Sequence, residues 1–153
     1  VPDAMLSEAC ALFGTRAGDL DTAVPPALTN GGAQHLVLPL AHEAELRAMA
    51  YDFDAGAAFM QTHGLVTINL IWRESTTRIH ARNAFAGHGV YEDPATGAAA
   101  AALAGYLRDA NLGVAPFEVI QGADMGAASR LMVAAREGAG APVEVAGLTR
   151  PLT

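Results

Sequence analysis

The sequence predicts an α+β domain in which a strand-rich sheet encloses one central helix, and three observations carry that prediction. Residues from about Ala95 to Asp109 are almost all Ala, Leu, Gly and Tyr, with no solvated side until Arg108 and Asp109. A helix that is apolar all round is a buried helix. Leu65–Arg73 and Thr77–Ala84 carry the β-branched alternation of paired, half-buried strands, through Val66, Ile68 and Leu70 and through Thr77 and Ile79. The tail then offers Phe117–Gln121, Arg130–Ala135 and Val143–Val145 as further strands, separated by glycine-containing turns.

Along the chain, Asp3 is positioned as the N-cap of a helix over Ala4–Phe13, stopped by Gly14. A loop rich in Pro, Thr and Gly covers Arg16–Gly32. His35–Leu40 reads as a mostly buried strand that Pro39 brings to an end. Glu43–Tyr51 and Asp54–Gln61 suggest two short helices, with Tyr51-Asp52-Phe53-Asp54 as a turn that supplies a second N-cap. Glu74-Ser75-Thr76 connects the paired strands. Phe85–Tyr91 is glycine-rich and irregular, and the apolar helix should end near Asn111 and Gly113.

Composition narrows the class. At 153 residues, with 52% apolar and 16% charged residues, one compact domain spanning 1–153 is expected. The net charge is −7, and all nine basic residues are arginine. An acidic chain without a basic cluster is not expected to bind nucleic acid or an anionic membrane. Small anions are not excluded, because backbone N–H groups and single arginines capture them locally. No window approaches the roughly 18 uninterrupted apolar residues of a membrane span. Cys10 is the one cysteine, so no internal disulfide can form, and a reducing, cytoplasmic setting is the expectation. Leu6, Ala9 and Phe13 share its helix face, which makes it a small buried hydrophobe. His35, His42, His63, His80 and His88 never show the i, i+4 spacing of a helical zinc pair, so no metal site is expected. Val1-Pro2-Asp3 lacks an initiator methionine and leads straight into a helix, as if the chain began within a longer protein.

The chemistry concentrates in Glu92-Asp93-Pro94-Ala95-Thr96-Gly97, which runs directly into the apolar helix. Proline tolerates a first helical turn and carboxylates favour the positive helix end, so Asp93 can serve as a cap with Glu92 in solvent. The same residues can also build a ligand site. Thr96-Gly97-Ala98 offers free N–H groups with almost no side-chain bulk, and a neighbouring carboxylate can relay a proton. His88, five residues before Asp93, is a candidate ligand contact or a tuner of that aspartate.

Together with Gly87-x-Gly89-Val90 just upstream, Glu92–Ala99 resembles the signature of the phenazine-biosynthesis isomerase (PhzF-like) family. Arg82, Gln121-Gly122, Met125-Gly126, Ser129 and the strand Leu36–Leu40 resemble further family positions, collinear from about residue 5 to 147. The resemblance implies the second domain of a diaminopimelate-epimerase-like fold, a barrel-like sheet around a helix. It also implies cofactor-free isomerisation or epimerisation of a small carboxylate in a cleft between two domains. A first-domain glutamate would shuttle the proton, Asp93 would assist, and the Gly97 and Ala98 amides, with Thr96 and His88 nearby, would hold the substrate. That glutamate has no counterpart in this chain, so a first domain or partner chain must supply it. The exposed cleft wall favours a homo-oligomer such as a dimer. The family usually has serine where Ala98 stands, and an aromatic and a proline where Ala84 and Ala86 stand. The paired-cysteine chemistry of racemases with this fold is excluded, because no cysteine occupies the turn. The other reading is a non-catalytic anion-binding or assembly domain that keeps the scaffold alone.

Overall fold

The computed structural model describes residues 1–113 and 116–148, and within them the chain is α+β, as expected. In chain order the elements are α1 (Asp3–Phe13), β1 (Ala27–Asn30), β2 (Gln34–Leu40), α2 (Glu43–Arg47), α3 (Phe53–His63), β3 (Thr67–Arg73), β4 (Arg78–Phe85), β5 (Val90–Asp93), α4 (Gly97–Asp109), β6 (Phe117–Gln121), β7 (Ser129–Ala135) and β8 (Val143–Gly147). One mixed sheet of eight strands runs β1-β2-β3-β4-β6-β7-β8, with β5 also paired to β4. The β2–β3 and β4–β6 pairs are parallel and the remainder antiparallel.

The sheet separates two apolar clusters, because alternate residues of a strand point to opposite faces. Leu36, Leu38 and Leu40 of β2 join Ile68 and Leu70 on the outer face, under α1, α2 and α3. Val37, Ile71, Ile79, Ala81 and Val119 line the inner face around α4, packed on Ala100, Leu103, Ala104 and Leu107. The helix read as buried is therefore the one that fills the curl of the sheet. Its Ala101, Gly105 and Tyr106 are only half-buried, where α4 faces the gap between the edge strands β1 and β8.

Several boundaries differ from the sequence reading for identifiable reasons. Pro2, not Asp3, occupies the N-cap of α1, and Asp3 lies in the first turn. The 16–32 loop contains β1, which pairs with β2 from Ala27↔Val37 to Asn30↔Gln34. Pro39 does not end β2. It sits inside the strand, opposite Ile71, beyond the end of β1, where its carbonyl accepts the Asp21 N–H at 2.9 Å and no N–H of its own is used. The helix expected over Glu43–Tyr51 stops at Arg47, because the Leu46, Arg47 and Met49 carbonyls turn to the guanidinium of Arg82. Asp52 caps α3 through the Ala55 N–H at 2.8 Å. Phe85–Tyr91 contains a 3-10 turn over Ala86–His88 and the start of β5, and α4 begins at Gly97 instead of Ala95. Among the described residues no helix is long and apolar enough to cross a membrane.

A line of buried polar side chains runs across the inner face. The His35 ring Nδ1 lies 2.8 Å from the Thr67 hydroxyl, which donates to Asn83 Oδ1 at 3.0 Å. Burial disfavours the imidazolium and lowers the pKa of His35 below the ordinary value of 6.5. The unfolded chain takes up a proton there near pH 6.5, whereas the folded chain does so only at lower pH. His35 therefore contributes stability above pH 6.5 that is lost as pH falls below it. Urea unfolding from pH 7.5 to 5 should show the midpoint of the native chain dropping more steeply than that of His35→Gln. Parallel curves would contradict this.

Candidate functional site

The site is built where β4 changes partners. On one edge, β4 pairs with β6 from Arg78↔Glu118 to Ala81↔Gln121, and then with β5 from Asn83↔Asp93 to Phe85↔Val90. Arg82 stands at the changeover. It is buried on the outer face with Glu92, which is 2% exposed and is held bidentately, Arg82 Nε to Oε1 at 3.0 Å and Nη2 to Oε2 at 2.6 Å. Nη1 donates to the Arg47 and Met49 carbonyls at 3.1 and 3.2 Å. The Glu92 carboxylate beside it holds the Arg82 guanidinium above its ordinary pKa, against the opposing effect of burial. Glu92 is therefore neither a solvated acid nor a member of the open site. Sequence alternation alone could not assign its face.

Fixing Glu92 outward turns Asp93 inward, toward the start of α4. Gln121, at the end of β6 and 1% exposed, clamps the turn with one amide. Its Nε2 donates to the Asp93 carbonyl at 2.5 Å and to the Thr96 hydroxyl at 2.9 Å, and its Oε1 accepts the Thr96 N–H at 3.1 Å. The Ser129 hydroxyl donates to the Pro94 carbonyl at 2.8 Å. Gly122 follows with φ +74°, and a Cβ there would meet the Ala127 carbonyl oxygen and lie 2.8 Å from that of Pro94. The spaced Gln121-Gly122 and Ser129 pattern is thus a brace for the acidic turn.

Thr96 holds the N-cap position of α4 but makes no side-chain cap. Its hydroxyl donates to Asp93 Oδ2 at 2.6 Å instead. Asp93 accordingly does not cap the helix either. Its Oδ1 and the first amides of α4 have no side-chain partner among the described residues, and Ala98 is exposed. A carboxylate oxygen thus stands beside uncapped amides at the positive end of a helix, an arrangement suited to holding an anion next to an acid/base group. Asp93, Thr96, Gly97 and Ala98 come together here. His88 does not join them. It lies at the tip of the β4–β5 hairpin, exposed and stacked on Phe85 at 4.8 Å. Cys10 is buried on α1 among the outer core residues. No group of His, Cys, Asp or Glu suited to holding a metal ion is found among the described residues.

Known proteins share this fold. The family model described as phenazine biosynthesis-like protein matches residues 2–149. The chain is similar to a solved structure described as a predicted epimerase from Pseudomonas aeruginosa, with 27% identity and a TM-score of 0.73, covering 97% of this chain and 52% of that one. It also resembles in fold the PhzF-family phenazine biosynthesis protein of Bacillus anthracis, at 17% identity and TM-score 0.69, covering 90% and 49% of the two chains. The Enterococcus faecalis protein of the same family gives 20% identity and TM-score 0.65, with 95% and 50% coverage. The chain therefore spans about half the length of these solved relatives. No curated protein matches it.

The two carboxylates of the turn should separate cleanly by stability. Glu92→Gln breaks a buried ion pair and should cost about 3–5 kcal/mol, whereas Asp93→Asn alters one partly buried bond and should cost about 0.5–1.5 kcal/mol. Urea titration reads both, and equal costs would contradict the assignment of Glu92 to structure. Gly122→Ala should cost at least about 1–2 kcal/mol, because a Cβ is forced into the left-handed region against two carbonyl oxygens. An unchanged urea midpoint would show that the brace is not needed.

Proposed function

This chain belongs to the PhzC-PhzF family of phenazine biosynthesis-like proteins, and on that premise we propose that it contributes one half of the cleft of a cofactor-independent isomerase or epimerase. The substrate class is a small carboxylate. Its carboxylate group would sit on the Gly97 and Ala98 amides, where the helix dipole favours negative charge. Asp93, oriented through the Thr96 hydroxyl, would accept or return a proton at the carbon next to that group. A glutamate of a companion half would carry the other transfer. His88, apart at the hairpin tip, would meet only the distal part of a ligand. The observation that supports this reading most is the diverted Thr96 hydroxyl, which orients Asp93 and leaves the start of α4 without a side-chain cap.

Ala98 favours a second reading. It provides no hydroxyl at the exposed second residue of α4, consistent with a module that binds an anion without turning it over.

Deuterium uptake from heavy water at the acidic carbon of small carboxylates distinguishes the two. Exchange should require this chain together with a companion half bearing the glutamate. In that pair, Asp93→Asn should lower the exchange rate by about 10²–10⁴-fold. Undiminished exchange in Asp93→Asn, or exchange by this chain alone, would overturn the division of labour. Carboxylate binding without exchange in the completed pair would establish the binding module.

A further inference from the structure

The inner face carries a second polar feature, separate from the acidic turn. His35 and Asn69 are both buried, at 0% and 1% exposure, and His35 Nε2 and Asn69 Oδ1 have no hydrogen-bond partner among the described residues. In the parallel β2–β3 pair, His35 lies opposite Thr67 and Val37 opposite Asn69. His35 and Asn69 therefore share one face, offset by two residues on neighbouring strands, a relation that places their Cα atoms about 8 Å apart.

The bonds around Thr67 fix what the free histidine nitrogen is. Thr67 has a single hydroxyl proton and gives it to Asn83 Oδ1. Its 2.8 Å contact with His35 Nδ1 then requires that nitrogen to be the donor. His35 is consequently the Nδ1–H tautomer, and Nε2 presents a bare lone pair. Asn69 Oδ1 is an acceptor as well. Two buried acceptors on one face each call for a donor, since an unmet buried acceptor is costly to keep.

We propose that His35 Nε2 and Asn69 Oδ1 form a binding site for one buried water molecule, which donates a hydrogen to each. Water supplies two donors from a single oxygen, and buried waters of this kind complete polar groups that the chain leaves unpaired. The water ends the line that runs through His35 and Thr67 to Asn83, the strand partner of Asp93. It holds the histidine neutral and in one tautomer. The site stands whether or not the acidic turn is catalytic.

A high-resolution crystal structure of this chain tests the assignment. A water peak within hydrogen-bond distance of both atoms is expected. Empty space there would overturn the proposal, as would an Asn69 amide rotated to donate directly to His35 Nε2. Thermal unfolding of Asn69→Leu gives a second reading. With a bridging water the variant should melt about 2–4 °C lower, whereas a dry site predicts a rise, because an unpaired buried acceptor has been removed. Imidazole ¹⁵N shifts of the native chain should report the Nδ1–H tautomer, and the Nε2–H tautomer would contradict the donor sense on which the site rests.

Discussion

The buried guanidinium of Arg82 is the interaction on which the rest of this structure depends. It lies where β4 passes from pairing with β6 to pairing with β5, and it binds Glu92 of β5 while drawing in the carbonyls at the end of α2. One side chain thereby ends a helix, fastens a four-residue strand and fills a point that neither ladder covers. The arrangement is costly to break, because loss of either partner leaves a charge with few routes to water. It also sets direction. With Glu92 fixed to the outer face, strand alternation gives Asp93 only the inner one.

A second, neutral set of bonds completes the turn from the other side. Gln121 reads the backbone and hydroxyl of residues 93–96 with all three bonds of its amide, and Ser129 holds the Pro94 carbonyl. The turn is thus braced from β6 and β7 while it is anchored from β4. Its chemical groups, the Asp93 oxygen and the first amides of α4, are left free of this bracing. Such a division suits a site that must be rigid before a ligand arrives, since ordering is then complete when binding occurs. It also leaves Ala98, the second residue of α4, exposed.

Much of this was legible in the sequence and some was not. The run from about Ala95 to Asp109, nearly all apolar, announced a buried helix, because a helix without a polar face has nowhere else to go. The paired strands of 65–84 were visible through their alternation. β1 and β5 were hidden, being only four residues long and set among glycine, proline and threonine, so that they exist by pairing with β2 and β4. The end of α2 was hidden for a similar reason. Residues 48–51 have ordinary helical composition, and a long-range acceptor demand from Arg82 overrides it. Within the candidate site, Asp93, Thr96, Gly97 and Ala98 lie together by adjacency in the chain, whereas nothing local separates His88 from them. Its distance comes from the hairpin, which carries it to the tip.

The start of α4, set in place by Arg82 and left uncapped by Thr96, is the proposed carboxylate site. Backbone amide shifts measured by NMR during titration of the chain with a small carboxylate test this most directly. The largest shifts should fall on the Gly97 and Ala98 amides and saturate together. Largest shifts on the arginine-bearing surface instead, with Gly97 and Ala98 unmoved, would contradict it.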